Sequence, residues 1–178
     1  THNADTPANI EPPKNVKMWY STNVDIVSER VKSIPIGLEN DRWLGDKLTK
    51  IQRKLQHPKQ FKKMIYLNHN INTNPQKRKK PYEVLKGRSW VTTGNGANGE
   101  GFDRYLDNIY NHPFVVCPEG NGIDTHRVWE CLYVRTIPVM IRNINNSFYA
   151  DLPILFIDDW EELTERFLHD SYMKMAEG

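Results

Sequence analysis

Short apolar runs of strand length alternate along this chain with longer stretches in which apolar residues recur at helical spacing. Several of the runs are continuously apolar, as expected for strands that are covered on both faces of a sheet. This alternation predicts an α/β domain of the Rossmann-like, three-layer kind, with a mostly parallel sheet of about six strands. The predicted strands are Val16–Tyr20, Ser33–Ile36, Met64–Asn68, Ser89–Thr92, Phe114–Cys117, Ile137–Ile141 and Ile154–Ile157. The predicted helices are Asp41–Leu55, Pro75–Lys86, Phe102–Tyr110, Asp124–Val134 and Trp160–Met173.

Length and composition narrow the classes of protein that need to be considered. The chain has 178 residues, enough for one domain with a hydrophobic core, so we predict a single domain over residues 1–178. A formal net charge of only +2 argues against a protein held mainly by nucleic-acid phosphates. No apolar run approaches the roughly 20 residues that span a bilayer. We therefore expect neither a nucleic-acid partner nor a membrane span in this chain.

The two cysteines do not form the kind of pattern that marks a disulfide framework. Cys117 and Cys131 both lie in apolar stretches, where free cysteines are usually buried. We interpret both as buried thiols. This usage weakly favours a reducing compartment, and so a cytoplasmic over a secreted location.

The segment from Phe114 to Ile141 carries the clearest functional signal. It reads as a strand, then a turn through Gly120, Asn121 and Gly122, then a helix and a second strand. A strand that passes through glycines into a helix directs free backbone N–H groups at one point, which attracts anions. The spacing is not that of a dinucleotide-binding G-x-G-x-x-G motif, because Thr125 stands where the third glycine would be. The chain also lacks the G-x-x-x-x-G-K-[ST] loop of ordinary nucleotide triphosphatases.

Arg127 and Glu130 fall in the first turns of the predicted helix, three residues apart and on one face. A guanidinium fork suits a phosphate, and a carboxylate one turn further on suits two sugar hydroxyls. Together they would fit a nucleotide, with its phosphates at Arg127 and its ribose at Glu130. The alternative is an intrahelical ion pair on a solvated face, which is common and weak.

A second polar segment, Asn68–Arg78, also follows a predicted strand and leads into a helix that starts with proline. Asn70 is directed at the same edge of the sheet, and Arg78 could reach a diphosphate as a second clamp. The alternative is a turn-rich linker followed by a solvated Lys77–Lys80 run, which has no interleaved aromatic residues and so does not resemble a nucleic-acid surface.

Catalytic and metal-binding residues are only weakly indicated. His126 and Asp124 are candidates for a general base, but a base must reach the acceptor hydroxyl, and the sequence identifies no acceptor site. The histidines and cysteines show no zinc-ligand spacing. Asp158 and Asp159 follow a strand and precede Trp160, so we interpret them as a helix cap and expect no metal.

Residues 114–139 resemble the carboxyl-terminal motif of exostosin-like glycosyltransferases. The matching features are the strand ending in Cys117-Pro118, the glycine turn, the helix with Arg127 and Glu130, and the strand beginning Ile137-Pro138-Val139. Asn23–Glu39 and Tyr66–Arg78 resemble other stretches of bacterial and viral members less specifically. The family usually has glycine before the Ile-Pro-Val strand, where this chain has Arg135.

The resemblance implies one half of a GT-B architecture, the half that binds a nucleoside-diphosphate sugar. In that family the helix glutamate holds the donor ribose and nearby basic residues hold the diphosphate, which implies these roles for Glu130 and for Arg127 with the Gly120–Gly122 turn. Such enzymes need no metal. The acceptor, a glycan or another molecule, and the base usually come from the other domain.

Two functions therefore compete at this stage. One is a glycosyltransferase domain that binds the donor sugar, and the other is a non-catalytic nucleotide- or glycan-binding module of the same fold. The opening residues Thr1–Asp5 read like a loop that follows a strand, so we expect the chain to begin within a longer protein. The glycine-rich loop Gly94–Gly101 is a candidate lid or a plain surface connection.

Overall fold

The computed structural model describes residues 12–39, 45–94 and 101–176. Three features predicted above lie wholly or partly outside the described residues: the opening residues Thr1–Asp5, the start of the helix predicted at Asp41, and most of the Gly94–Gly101 loop. Every helix within the described ranges is too short or too polar to cross a lipid bilayer.

The main sheet has five strands, all parallel, in the order β4-β3-β5-β6-β7. These strands are β3 (Ile65–Leu67), β4 (Val91–Thr93), β5 (Phe114–Val116), β6 (Ile137–Ile141) and β7 (Leu155–Ile157). Each lies within one residue of a predicted strand or inside it. The parallel α/β architecture is thereby confirmed, and its strand order is that of a doubly wound fold.

Helices cover both faces of this sheet and enclose two hydrophobic cores. The helices are α1 (Lys47–Lys54), α2 (Pro75–Leu85), α3 (Gly101–Tyr110), α4 (His126–Tyr133) and α5 (Glu165–Ala176). Successive side chains of β5 point to opposite faces of the sheet and so belong to different cores. Val115 packs with α1, α3 and α4, while Phe114 and Val116 pack with α2 and α5. The three-layer arrangement follows from this alternation.

The expectation of a single sheet was wrong for the first two strands. Strands β1 (Trp19–Ser21) and β2 (Val31–Ser33) pair with each other in a separate two-stranded parallel sheet. Side-chain hydrogen bonds hold this sheet on the connection between β6 and β7. Ser33 Oγ donates to Asn145 Oδ1 at 2.8 Å, and Asn145 Nδ2 donates to Val24 O at 2.7 Å.

The final predicted helix, Trp160–Met173, is two helices. A short 3-10 helix spans Trp160–Glu162, and α5 begins only at Glu165. Asp159 caps the first of these in a capping box with Glu162, which confirms its interpretation as a cap. The pattern of apolar residues did not reveal the break, because Trp160, Leu163 and Leu168 all face the same core.

Arg135 ends α4 in a left-handed backbone conformation, with φ of 56°. Thr136 N donates to Cys131 O at 2.9 Å and Arg135 N donates to Leu132 O at 3.0 Å, the two bonds of a Schellman motif. Glycine is the usual residue at this position because it has no Cβ to clash. The glycine of the resembling family would therefore suit the same backbone.

We expect Arg135→Gly to raise the free energy of unfolding by about 0.5–1 kcal/mol. The substitution removes a left-handed penalty of about 1–2 kcal/mol, offset in part by the larger backbone entropy of glycine in the unfolded chain. Urea denaturation would measure the difference. Arg135→Ala is the matched control, since it removes the exposed side chain but keeps Cβ, and it should give no gain. Equal stability of the two variants would contradict this explanation.

Candidate functional site

The sheet changes winding direction between β3 and β5. The two strands are neighbours, but the chain leaves β3 towards β4 on one side and leaves β5 towards β6 on the other. In open α/β sheets, ligands bind outside the carboxyl ends of the strands at such a point. The loops that follow β3 and β5 meet there, where Asn74 Nδ2 donates to Gly120 O at 2.8 Å.

Arg78 extends from the first turns of α2 and joins these two loops. Its Nε donates to Glu119 O at 2.9 Å, and its Nη1 donates to Asn70 O at 3.1 Å. Gly120 allows this approach, since a Cβ at that position would lie 2.8 Å from Arg78 Nη2. Arg78, which the sequence suggested as a second diphosphate-binding residue, is thus half-buried, and its guanidinium group is held by hydrogen bonds to backbone carbonyl groups.

Arg127 approaches the same place from the start of α4. Its Nη1 donates to Asn68 O, and its guanidinium lies 5.3 Å from the centre of the Tyr105 ring. Burial lowers the pKa of Arg78, and the positive charge of Arg127 lowers it further. Among the described residues neither guanidinium forms an ion pair with a carboxylate. The two guanidinium groups therefore lie close enough to repel each other, and the charge of Glu130 acts on Arg127 without an ion-pair contact.

Glu130 lies one turn further along α4 and accepts a hydrogen bond from Tyr105. The Tyr105 hydroxyl to Glu130 Oε2 distance is 2.6 Å. Arg127 and Glu130 thus engage different partners, so the alternative of a solvated intrahelical ion pair does not describe them. The hydrogen bond fixes one oxygen of the carboxylate and sets the orientation of the other.

These side chains border a cavity of about 380 Å³, within the usual size range of small-molecule sites. Three cations and a single carboxylate contribute to its wall. The lining residues are Lys47, Arg78, Gly101, Phe102, Tyr105, Thr125, His126, Arg127 and Glu130. The cavity is therefore suited to an anionic ligand.

Two buried polar atoms near the arginines have no hydrogen-bond partner within the described ranges. One is Thr125 Oγ1, which does not cap α4 although Thr125 occupies the cap position. The other is His69 Nδ1, whose partner nitrogen Nε2 lies 2.7 Å from Arg78 O. Burial, with the nearby charges of Arg127 and Arg78, lowers the pKa of His69 to about 4, so the ring is neutral at pH 7. A carbonyl can only accept, so Nε2 carries the proton and Nδ1 is an acceptor.

The glycine turn is less open than its sequence suggests. Asn23 fills the space beside Gly122, where a Cβ would lie 2.4 Å from Asn23 Cγ. Asn121 is exposed and does not border the cavity, and Asn70 contributes its carbonyl to Arg78. Of the predicted binding residues, Arg78, Arg127 and Glu130 border the cavity, with Gly120 packed against Arg78.

The two candidate bases differ in their surroundings. Asp124 is buried, and its carboxylate accepts from Ile36 N at 2.8 Å and from Trp129 Nε1 at 2.9 Å. His126 borders the cavity, with Nδ1 2.9 Å from Gly37 O and Nε2 3.5 Å from Glu39. Asp124 therefore holds the N-terminal segment against α4, and His126 is the one of the two that faces the cavity.

Within the described ranges, no group of three or more histidine, cysteine or acidic side chains is placed to hold a metal ion. Asp158 is paired with Arg142 at 3.1 Å, and Asp159 accepts from Lys80. Both aspartates are thus engaged in surface interactions.

Lys47, Phe102 and Tyr105 border the cavity but were not predicted from the sequence. They come from α1 and α3, which the sequence pattern identified only as amphipathic helices. Tyr105 is half-buried on a helix face that otherwise reads as core. Its hydroxyl, which is unusual at a position that faces the core, was the one sequence feature that could have pointed to a role for Tyr105 in the site.

Comparison with known proteins adds no family to this description. No protein-family model matches the sequence, and no curated protein matches it significantly. The geometry of the site itself is therefore the basis for the function proposed below.

Proposed function

We propose that this domain binds a nucleoside-diphosphate sugar and serves as the donor-binding part of a glycosyltransferase. The observation that carries the proposal is the pair of arginines, Arg78 and Arg127, at the winding reversal of the sheet. They lie beside a cavity and engage backbone carbonyls. Among the described residues neither forms an ion pair with a carboxylate, although the charge of Glu130 acts on Arg127. A diphosphate would place negative charge in direct contact with both guanidinium groups through charge-assisted hydrogen bonds.

Glu130 supports the choice of a nucleotide over a simple anion. A carboxylate beside a phosphate site repels inorganic anions, yet it accepts hydrogen bonds well from vicinal hydroxyls. Tyr105 holds one carboxylate oxygen, which favours a fixed orientation towards a ribose. The resemblance of residues 114–139 to exostosin-like transferases supports the same two roles.

The proposed chemistry is stabilisation of the leaving group. As the sugar departs, negative charge develops on the nucleoside diphosphate, and two preorganised guanidinium groups would stabilise it in a partly dehydrated cavity. Transfer also needs an acceptor hydroxyl held in line with the donor. We propose that the acceptor site and the base belong to another domain, so residues 1–178 alone would bind the donor but transfer sugar poorly.

A non-catalytic binding module is the second candidate, favoured by the state of the two predicted bases. The Asp124 carboxylate is taken up by hydrogen bonds from Ile36 and Trp129, and His126 is bonded to Gly37 O. The Asp124 carboxylate is therefore engaged, and His126 keeps only Nε2, 3.5 Å from Glu39, as a possible proton acceptor. Absence of turnover after addition of the complete acceptor machinery would favour this candidate over the transferase.

A titration panel of UDP, GDP, ADP and CMP tests the binding that both candidates share. A bound nucleotide stabilises the folded state, so the matching ligand should raise the melting temperature further with each increase in its concentration, following the logarithm of concentration. The same titration in EDTA should give an unchanged affinity. A large loss on chelation would move the protein into a metal-dependent class.

We expect Glu130→Ala to weaken binding of the matching nucleotide by about 1–3 kcal/mol, because ribose hydroxyls would be left without an acceptor. Isothermal titration calorimetry would measure the change. Glu83→Ala is the matched control, since Glu83 is an exposed glutamate on α2 that pairs with Lys79. If both variants bind like the parent, the assignment of Glu130 to the ribose is wrong.

A further inference from the structure

Both cysteines of the chain are buried beside the candidate site. Cys117 follows β5 and Cys131 lies in α4, 14 residues later, and their sulfur atoms are 4.0 Å apart. The segment between them contains the glycine turn, Thr125, Arg127 and Glu130. A disulfide bond has a sulfur separation of about 2 Å, so closure requires an approach of roughly 2 Å.

Cys117 is the less enclosed of the two cysteines, although only 2% of it is exposed. It borders a second cavity, of about 200 Å³, at the carboxyl ends of β5 and β6, together with Pro118, Met140 and Trp160. Both cysteines pack in the same core beneath α4, but Cys131 is not among the residues that line this cavity. A small neutral oxidant entering the cavity would therefore meet Cys117 first.

We propose that Cys117 and Cys131 are a reversible dithiol–disulfide site, oxidised by a peroxide that enters through the second cavity. The Cys117 sulfur attacks one peroxide oxygen, and the oxygen–oxygen bond breaks to give a sulfenic acid and water. The Cys131 sulfur then attacks the Cys117 sulfur, forming the disulfide and releasing a second water. Overall, two thiols and one hydrogen peroxide give one disulfide and two waters.

The disulfide would act on the arginine site through α4. Cys131 lies one helical turn after Arg127 and directly follows Glu130, so a pull on Cys131 towards β5 moves both residues as part of one rigid helix. Interiors are closely packed, and a shift of this size cannot be absorbed locally. Oxidation should therefore weaken nucleotide binding, by about tenfold if 1.4 kcal/mol of binding energy is lost. This consequence rests on the proposed function, whereas the disulfide itself does not.

The test is treatment of the folded full chain with hydrogen peroxide, followed by intact-mass analysis under denaturing, thiol-alkylating conditions. The expected product has lost two hydrogen atoms, carries no alkyl group, yields a peptide linking Cys117 to Cys131, and regains both thiols in dithiothreitol. Cys131→Ala keeps the core position apolar and should instead gain oxygen at Cys117. Cys117→Ala should resist oxidation at Cys131.

Alkylation of both cysteines in the parent after peroxide treatment, or oxygen gain without cross-linking, would overturn the proposal. So would a cross-link that forms only between separate molecules. The nucleotide panel is then repeated on reduced and oxidised protein. A cross-linked protein with unchanged affinity would retain the dithiol site and refute its coupling to the arginines, and failure of both forms to bind would refute the proposed function alone.

Discussion

Replacement of Arg127 by alanine is expected to weaken binding of a nucleoside diphosphate by about 2–3 kcal/mol, while binding of the corresponding nucleoside falls much less. The reason is that hydrogen bonds to a charged group contribute about 1.5–3 kcal/mol, and this contribution exists only when the phosphates are present. Calorimetric titrations of the diphosphate and the nucleoside against parent and variant would measure both changes. The difference between the two losses is the quantity that reports on the phosphate contact.

Three further variants test the charge and shape of Arg127 and the contribution of Arg78. Arg127→Lys keeps the positive charge but loses the planar fork, so it should recover only part of the lost affinity. Arg78→Ala should act in the same direction, and the double variant should lose less than the sum of the single losses because both arginines address one ligand. Equal losses for nucleoside and diphosphate would show that Arg127 supports the fold by its bond to Asn68, not the phosphates.

Asp124→Ala is expected to lower the free energy of unfolding by about 2–5 kcal/mol. The substitution leaves Ile36 N and Trp129 Nε1 without their acceptor, and each buried, unpaired donor costs about 1–3 kcal/mol. Urea denaturation would give the value, and limited proteolysis should show earlier cleavage within the N-terminal segment. Asp124→Asn keeps one acceptor oxygen and should be intermediate.

The exposed Asp158 offers the matched control for this result. Asp158→Ala removes a carboxylate that pairs with Arg142 at the surface, where such pairs contribute about 0–1 kcal/mol. If Asp124→Ala leaves stability and nucleotide binding unchanged but abolishes the transfer seen with the complete acceptor machinery, the interpretation is reversed and Asp124 is a catalytic residue.

Local sequence patterns were sufficient to predict the parallel α/β class and to place Arg78 and Arg127 at the same edge of the sheet, while their role in binding phosphate stays a prediction. Strands such as Phe114–Val116 are recognisable because both of their faces are buried, and Arg78 and Arg127 follow strands whose carboxyl ends are neighbours in the sheet. The strands are recognised by their runs of apolar residues, and the arginines by the rule that ligands bind outside the carboxyl ends of parallel strands. Each is encoded within a short stretch of chain.

What the sequence could not predict depends on contacts between distant segments. Nothing near Gly122 indicates that Asn23 occupies the space beside it, and nothing near Trp19 indicates that its strand avoids the main sheet. Tyr105 and Lys47 reach the cavity from other helices, so only the folded chain brings them to Glu130. Arg135 stands where glycine would suit the backbone, and only its positive φ reveals why.

Asn23 and Gly122 have a consequence for how this chain can change over evolution. Asn23 adopts a left-handed conformation, with φ of 53°, which asparagine tolerates better than most residues, and its Oδ1 accepts from Asp124 N at 2.6 Å. Any side chain at position 122 would displace it, and a residue without an amide or carboxylate at position 23 would leave Asp124 N unpaired. Positions 23 and 122, about a hundred residues apart, should therefore be substituted together, since a smaller residue at position 23 makes room for an alanine at position 122 and requires a new acceptor for Asp124 N.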